Sequence, residues 1–260
     1  MHPILNIAIR AARAAGDSIV RQMDRVGDIS IESKGKNDFV TEVDKNAEEI
    51  IIYTIKNAYP EHAFLGEETG QTGESDCLWI IDPLDGTTNF LHNFPHFAVS
   101  IALQHKGVLE QAVVYDPLKQ ELFTASKGQG ALLNNRKIRV SNKKTLDGAL
   151  LGTGFPFNDE AAMISFIESF KALFPAVAGI RRAGVASLDL AYVAAGRLDG
   201  FWEFNLKPWD IAAGALLVQE AGGVSTELTG GVDYMQSGNI ISANPKMIKA
   251  MLKKINVTFR

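Results

Sequence analysis

Trp79-Ile80-Ile81-Asp82-Pro83-Leu84-Asp85-Gly86-Thr87-Thr88-Asn89 is the stretch from which the rest of this chain is best read. An apolar strand over residues 77–81 delivers Asp82 at its end, and Pro83, which has no N–H, keeps the ladder from simply continuing. Asp85 follows three residues later in a turn, so both carboxylates can be aimed at one point. Gly86-Thr87-Thr88 then offers free backbone N–H groups, an anion site if a helix begins there. Two converging carboxylates repel each other unless a cation lies between them. With no His or Cys nearby in sequence the donors are oxygens, which favours Mg2+ or Mn2+ over Zn2+. Taken by themselves, the same residues also suit a turn in which Asp82 and Asp85 cap backbone groups.

Working outward, other acids stand at the ends of apolar segments. Gly66-Glu67-Glu68 follows Phe64-Leu65, read as a strand end; Trp209-Asp210 opens a helix, where Asp210 suits an N-cap; Thr41-x-x-Asp44 has the form of a capping box. Leu5, Ala8, Ala12, Ala15, Ile19 and Met23 recur at helical spacing, as do Val43, Ala47, Ile50, Thr54 and Ala58 before Pro60. Between these helices Ser33-Lys34-Gly35-Lys36-Asn37 reads as a polar loop. Three β-like runs over residues 97–104, 109–115 and 121–125, separated by Lys106-Gly107 and Asp116-Pro117, predict an antiparallel meander. Beyond residue 145 the elements alternate: strand 149–152, helices 159–173 and 187–195, strand 200–204, helix 210–221, and strands near Val224 and Ile240. The expected fold class is α/β (α+β), a layered sandwich. Residues 1–145 are expected to form an N-terminal α+β half with the meander and most of the acids, and residues 146–260 an α/β half that contains Asp210, the two making one compact unit.

Composition narrows the function classes. A net charge of −4 over 260 residues argues against broad electrostatic binding to nucleic acid or an anionic membrane, while leaving a local basic patch open. Cys77 is the only cysteine, which excludes an intrachain disulfide or a multi-cysteine metal site and fits a reducing, cytoplasmic setting. No secretory pattern opens the sequence, and the apolar run 211–218 is far short of a membrane span, so the Asn256-Val257-Thr258 sequon reads as chance. Gly128-Gln129-Gly130 reads as a strand-connecting turn, the five histidines show no ligand pairing, and Arg181-Arg182 reads as a structural or solvated pair.

Three motifs in order give the chain its resemblance: Asp38-x-Val40-Thr41-x-x-Asp44, the stretch Asp82 to Asn89, and Trp209-Asp210-x-Ala212-Ala213-Gly214 running to Glu220-Ala221-Gly222-Gly223. Together with Gly66-Glu67-Glu68 they resemble the inositol monophosphatase family of metal-dependent phosphatases, over essentially the whole chain. The resemblance implies the αβαβα sandwich of the inositol monophosphatase and fructose-1,6-bisphosphatase type. It makes Glu67, Asp82, the Leu84 carbonyl oxygen, Asp85 and Asp210 metal ligands for two or three Mg2+ ions, with Mn2+ as a substitute, and implies inhibition by Li+. The implied reaction is hydrolysis of a phosphate monoester, myo-inositol 1-phosphate above all. Glu203 would contact a substrate hydroxyl, and Gly184, Val185 and Ala186 would line the ring, although Val185 stands where other members carry a hydroxyl residue.

On that basis Glu67 and Thr87 are expected to position the attacking water, with Asp44 accepting a hydrogen bond from Thr87, and the Gly86–Thr88 backbone to cradle phosphate. Asp85, Gly86, Thr87 and Asp210 then share the substrate's phosphate end. Lys34 and Lys36 suit a solvated loop, or one that approaches the anion. The spacing of Asp82 and Asp85 differs from the Asp-x-Asp of haloacid dehalogenase-type phosphatases, so no phosphoenzyme is expected. Same-fold alternatives are a phosphatase for fructose 1,6-bisphosphate or a 3′-phosphoadenosine nucleotide. Members of this family are commonly homodimeric, and bacterial members also resemble components of a ribosomal RNA transcription antitermination complex, which would make antitermination factors partners.

Overall fold

The computed structural model describes residues 2–23, 31–35, 38–157 and 159–258. In chain order the first half holds α1 (Pro3–Gln22), β1 (Ile31–Gly35), β2 (Asp38–Thr41), α2 (Glu42–Lys56), β3 (Ala63–Gly66), β4 (Gly70–Thr72), β5 (Cys77–Asp85), α3 (Thr87–Leu91), β6 (Ala98–His105), β7 (Val108–Asp116), β8 (Glu121–Ser126), β9 (Gly130–Leu133) and β10 (Arg136–Lys137). The second half holds β11 (Leu150–Thr153), α4 (Glu160–Leu173), β12 (Gly179–Arg181), α5 (Ala186–Ala194), β13 (Gly200–Glu203), α6 (Pro208–Glu220), β14 (Val224–Thr226), α7 (Tyr234–Ser237), β15 (Ile240–Ala243) and α8 (Pro245–Thr258).

Of the stripe foreseen for α1, Leu5, Ala8, Ala12, Ala15 and Ile19 are buried, with Met23 half-buried just past the helix. On α2 the buried face runs through Val43, Ala47, Ile51 and Ile55, so the foreseen Ile50 and Thr54 are only half-buried and Ala58 is exposed beyond the helix end. Thr41 caps α2 through its side chain in a reciprocal box with Asp44. Both helices lie on one face of an eight-stranded sheet ordered β10-β9-β8-β7-β6-β5-β3-β4, in which Ile81, Val99, Ile101, Val113 and Tyr115 point toward them. The opposite face, carrying Ile80, Ala98, Ala102, Ala112 and Val114, packs on α5 and α6. Phe201 and Ile240 of a five-stranded sheet ordered β12-β11-β13-β15-β14 join that same apolar layer. The far face of the small sheet, with Leu151, Trp202 and Ile241, is covered by α4 and α8. Helices, sheet, helices, sheet, helices: the expected αβαβα sandwich is present. Among the described residues no helix is long and apolar enough to cross a membrane.

Two expectations change. Ser33, Lys34 and Gly35 are not loop but the end of β1, paired antiparallel with β2; Lys36, Asn37 and the Lys34 side chain lie outside the described residues. The β5 ladder also continues past Pro83 instead of stopping there: Asp82 pairs with Ser100 and Asp85 with Ala98, three steps on β5 against two on β6. Pro83 falls inside this bulge, where a missing N–H costs no ladder bond.

Candidate active site

The bulge decides where the carboxylates point. In a regular strand residues three apart face opposite sides, but the extra residue on β5 brings Asp82 and Asp85 to the side packed on α5 and α6. Asp82 Oδ1 accepts the Leu84 N–H at 3.0 Å, closing the bulge around Pro83. β3 runs parallel to β5 with Gly66 opposite Ile81, so the next residues, Glu67 and Asp82, emerge side by side. The Glu67 N–H donates to the Ile81 carbonyl at 3.1 Å.

From the other half, α6 begins at Pro208, so Asp210 is not the N-cap but the third helical residue, its Oδ2 accepting the Lys207 N–H at 2.7 Å. Ser100 Oγ donates to the Trp209 carbonyl at 3.2 Å and fixes this helix start over β6. The first turn of α5 supplies the Ser187 N–H, which donates to Asp85 Oδ2 at 2.7 Å.

Gly86 follows with φ 100°, a left-handed conformation open to glycine, and a Cβ there would meet a Val185 methyl at 2.9 Å. α3 then starts at Thr87, whose Oγ1 lies 2.9 Å from Asp44 Oδ1 and 3.1 Å from the Leu84 carbonyl. The other Asp44 oxygen accepts from the Thr41 N–H at 2.8 Å and the Thr41 hydroxyl at 2.5 Å. The contact foreseen between Thr87 and Asp44 is therefore made, and it joins α2 to the turn. Asn89 Nδ2 donates to the carbonyls of His96 at 2.9 Å and Ala183 at 3.0 Å, holding the loop before Gly184 against α3.

Burial governs the charges. Asp82, 1% exposed, has its carboxyl pushed well above the usual range by burial and then by Glu67, Asp85 and Asp210. Burial raises Asp85 to about 6 against the opposing hydrogen bonds from Ser187 and Ala186. Burial and then Asp85 raise Asp210 to about 8; burial, Asp189 and Asp85 raise Glu203 to about 8, with Arg182 opposing. Burial also lifts Asp44, against its bonds from Thr41 and Thr87. Among the described residues no three acids, histidines or cysteines already enclose a point as a metal cage. Asp82 instead interacts with both Glu67 and Asp210. An all-oxygen set of crowded carboxylates of this kind suits a hard divalent cation.

Glu203 ends β13 and lines a cavity of about 760 Å³ with Phe155, Phe157, Asn205, Lys207 and Gln236. Gly184, Val185 and Ala186 are not part of that lining, and the Val185 and Ala186 side chains are buried, 1% and 7% exposed. Arg182 is not merely solvated: its guanidinium sits over the rings of Phe155 at 5.0 Å and Phe157 at 5.2 Å.

Sequence reasoning missed Glu48, whose fully buried carboxylate accepts the N–H groups of Glu68 at 3.0 Å and Thr69 at 2.9 Å and so anchors the turn that carries Glu67. Its signal was a charge on the apolar face of α2, between Ala47 and Ile51. Ser187, Ser100 and Asn89 were missed as well, because their partners lie between 7 and 109 residues away.

The inositol monophosphatase family profile matches residues 1–257. The chain belongs to the inositol monophosphatase family. A relative from Pseudomonas aeruginosa, Nus factor SuhB, is 57% identical, the match covering 98% of this chain and 96% of that protein. The crystal structure of extragenic suppressor protein suhB from Bartonella henselae has a TM-score of 0.95 at 43% identity, covering 98% of each chain. Inositol monophosphatase from Anabaena has a TM-score of 0.88 at 37% identity, covering 97% of this chain and 95% of that one. The chain thus shares a phosphatase family and fold along nearly its whole length.

Proposed function

We propose that the chain is a Mg2+-dependent phosphate monoester hydrolase acting on myo-inositol 1-phosphate to give myo-inositol and phosphate. The observation that carries this reading is the burial of Asp82 among Glu67, Asp85 and Asp210, drawn from both halves of the fold, where the carboxylates repel one another without a cation. Glu67, Asp82, the Leu84 carbonyl oxygen, Asp85 and Asp210 would hold two or three Mg2+ ions, with Mn2+ as a substitute. Bound ions of this kind supply Lewis acidity at the phosphoryl oxygens and offset charge on the departing oxygen.

The chain's own groups do the rest. Thr87, with its hydroxyl proton directed to Asp44, leaves a lone pair that orients water beside Glu67. The backbone from Gly86 to Thr88 holds the phosphate, and Gly184, Val185, Ala186 and Glu203 contact the polyol. Water's oxygen forms the new P–O bond and gives up a proton, the ester P–O bond breaks, and the departing alkoxide takes up one proton, so none is gained or lost overall. No covalent phosphoenzyme forms. Phosphate release from myo-inositol 1-phosphate, fructose 1,6-bisphosphate and a 3′-phosphoadenosine nucleotide, with Mg2+ and with added Li+, tests the reading. Fastest, Li+-sensitive release from the inositol ester is expected; preference for either other ester moves the assignment to that alternative.

A second reading is favoured by the similarity to Nus factor SuhB: a binding role with transcription antitermination factors, independent of turnover. Rescue of a deletion phenotype by Asp210→Asn would support it, and loss of rescue would tie the phenotype to chemistry. A homodimer accords with the outer face of α4, where Ile164 is 60% and Ile167 42% exposed, continued by Phe174 at 58%. Sedimentation of the purified chain checks it.

A further inference from the structure

Among the described residues two buried side-chain atoms lack a hydrogen-bond partner, His96 Nε2 and Ser187 Oγ. The His96 ring keeps other polar company: Lys119 Nζ lies 3.3 Å from its Nδ1 and bonds Asp116 at 2.6 Å. Ser187 is fully buried, and its hydroxyl is its only polar side-chain atom. A hydroxyl taken out of water and left unbonded is unfavourable, and native folds keep few of them.

Ser187 is the second residue of α5, and the first turn of that helix is capped from a distance. Val185, at the N-cap, makes no side-chain hydrogen bond. Its role passes to Asp85, 102 residues away in sequence, whose Oδ2 accepts the Ser187 N–H at 2.7 Å. The positive end of α5 favours the charged form of this carboxylate. A serine within a helix commonly bonds back to the carbonyl four residues earlier. Here that carbonyl, of Ala183, lies outside α5 and accepts Asn89 Nδ2 at 3.0 Å, and the Ser187 hydroxyl makes no bond to it. The hydroxyl instead stands near enough to Asp85 to favour its carboxylate, without being aligned to bond it. Ser187 therefore brings two donors to Asp85, the backbone one engaged and the hydroxyl one still open.

We propose that Ser187 is a positioning residue for the cation site, its hydroxyl donating to the Asp85 carboxylate when a divalent cation is bound there. With two donors on its α5 side, Asp85 presents its remaining acceptor capacity to the cation in one orientation. The inference rests on the cation-site reading above and adds a residue outside the three sequence motifs. Groups that orient metal-binding side chains raise affinity, and their loss costs roughly 10–100-fold. A donor left open in the cation-free fold lowers the stability of that fold in favour of cation affinity, as functional sites do. A serine that serves packing alone has no such double effect.

The test compares the full wild-type chain with Ser187→Ala and Ser187→Cys. In chelator, the Tm of Ser187→Ala should equal or exceed the wild-type value, because an unbonded buried donor has been removed. Mg2+ binding by titration calorimetry without substrate should weaken at least about tenfold in Ser187→Ala, and less in Ser187→Cys, whose S–H is a weak donor. In phosphate release from myo-inositol 1-phosphate, the Mg2+ concentration for half-maximal rate should rise by the same factor while kcat at saturating Mg2+ changes little. Wild-type Mg2+ affinity in Ser187→Ala overturns the proposal. A Tm of Ser187→Ala several degrees below the wild type in chelator overturns it too, since that marks a structural residue. A wild type that binds Mg2+ but releases no phosphate overturns the phosphatase reading alone, and the calorimetric comparison still decides for Ser187. A wild type that binds no Mg2+ overturns both.

Discussion

Asp85, Asp210 and Glu203 carry the clearest consequence at the scale of single residues. Their carboxyls stand at about 6, 8 and 8 in the fold against ordinary values of 3.8 for aspartate and 4.5 for glutamate. An acid whose pKa is higher folded than unfolded holds its proton more tightly in the fold, so stability falls as pH rises between the two values. The metal-free chain should therefore lose stability progressively from about pH 4 to about pH 8 through these groups, and bound Mg2+ should cancel the loss at Asp85 and Asp210. Thermal unfolding in chelator and in Mg2+ checks this: the Mg2+-induced rise in Tm should be larger at about pH 8 than at about pH 5.5. A rise that is the same at both would contradict the electrostatic account.

At the scale of elements, the site depends on how strand ends and helix starts are tied together. Glu48 on α2 holds the turn after β3 through two backbone N–H groups. Glu48→Ala should cost about 2–3 kcal/mol, as expected for losing charge-assisted hydrogen bonds at a buried position. It should also raise the Mg2+ concentration needed for half-maximal phosphate release, because the Glu67 turn loses its anchor; urea unfolding and a Mg2+ titration measure the two effects. Much of this level was legible in the sequence. The strand that delivers Asp82, the Thr41–Asp44 box and the helix carrying Asp210 follow from local turn and capping chemistry. What was not legible is register. Nothing local in Asp82-Pro83-Leu84-Asp85 says that β6 will reset its pairing by one residue, and it is that reset which turns both aspartates to one side. The bond from Ser187 to Asp85 was hidden for the same reason, since it spans 102 residues.

At the scale of the whole molecule, the middle layer of α5 and α6 is shared by both sheets and carries the acids' supports. The two helices approach closely at Gly214, where a Cβ would lie 2.5 Å from the Leu190 side chain. Gly214→Val should overpack this layer and destabilise by roughly 1–3 kcal/mol. Because the layer is common, far-UV circular dichroism and tryptophan fluorescence should shift together in urea; two separated transitions would show that the sheets do not depend on it in common. The same architecture gathers carboxylates from both halves of the chain near the start of α6. The central claim is that the buried acids work as a cation site for phosphate ester hydrolysis. Its most direct test is phosphate release from myo-inositol 1-phosphate across a Mg2+ series, for the wild type and Asp210→Asn. The account predicts no release in chelator, saturable activation by Mg2+, and a loss of at least about 100-fold in the variant with its fold intact, since disturbing even the partners of metal ligands costs roughly 10–100-fold. Release that is equal in chelator, or near-wild-type turnover by Asp210→Asn, would contradict it.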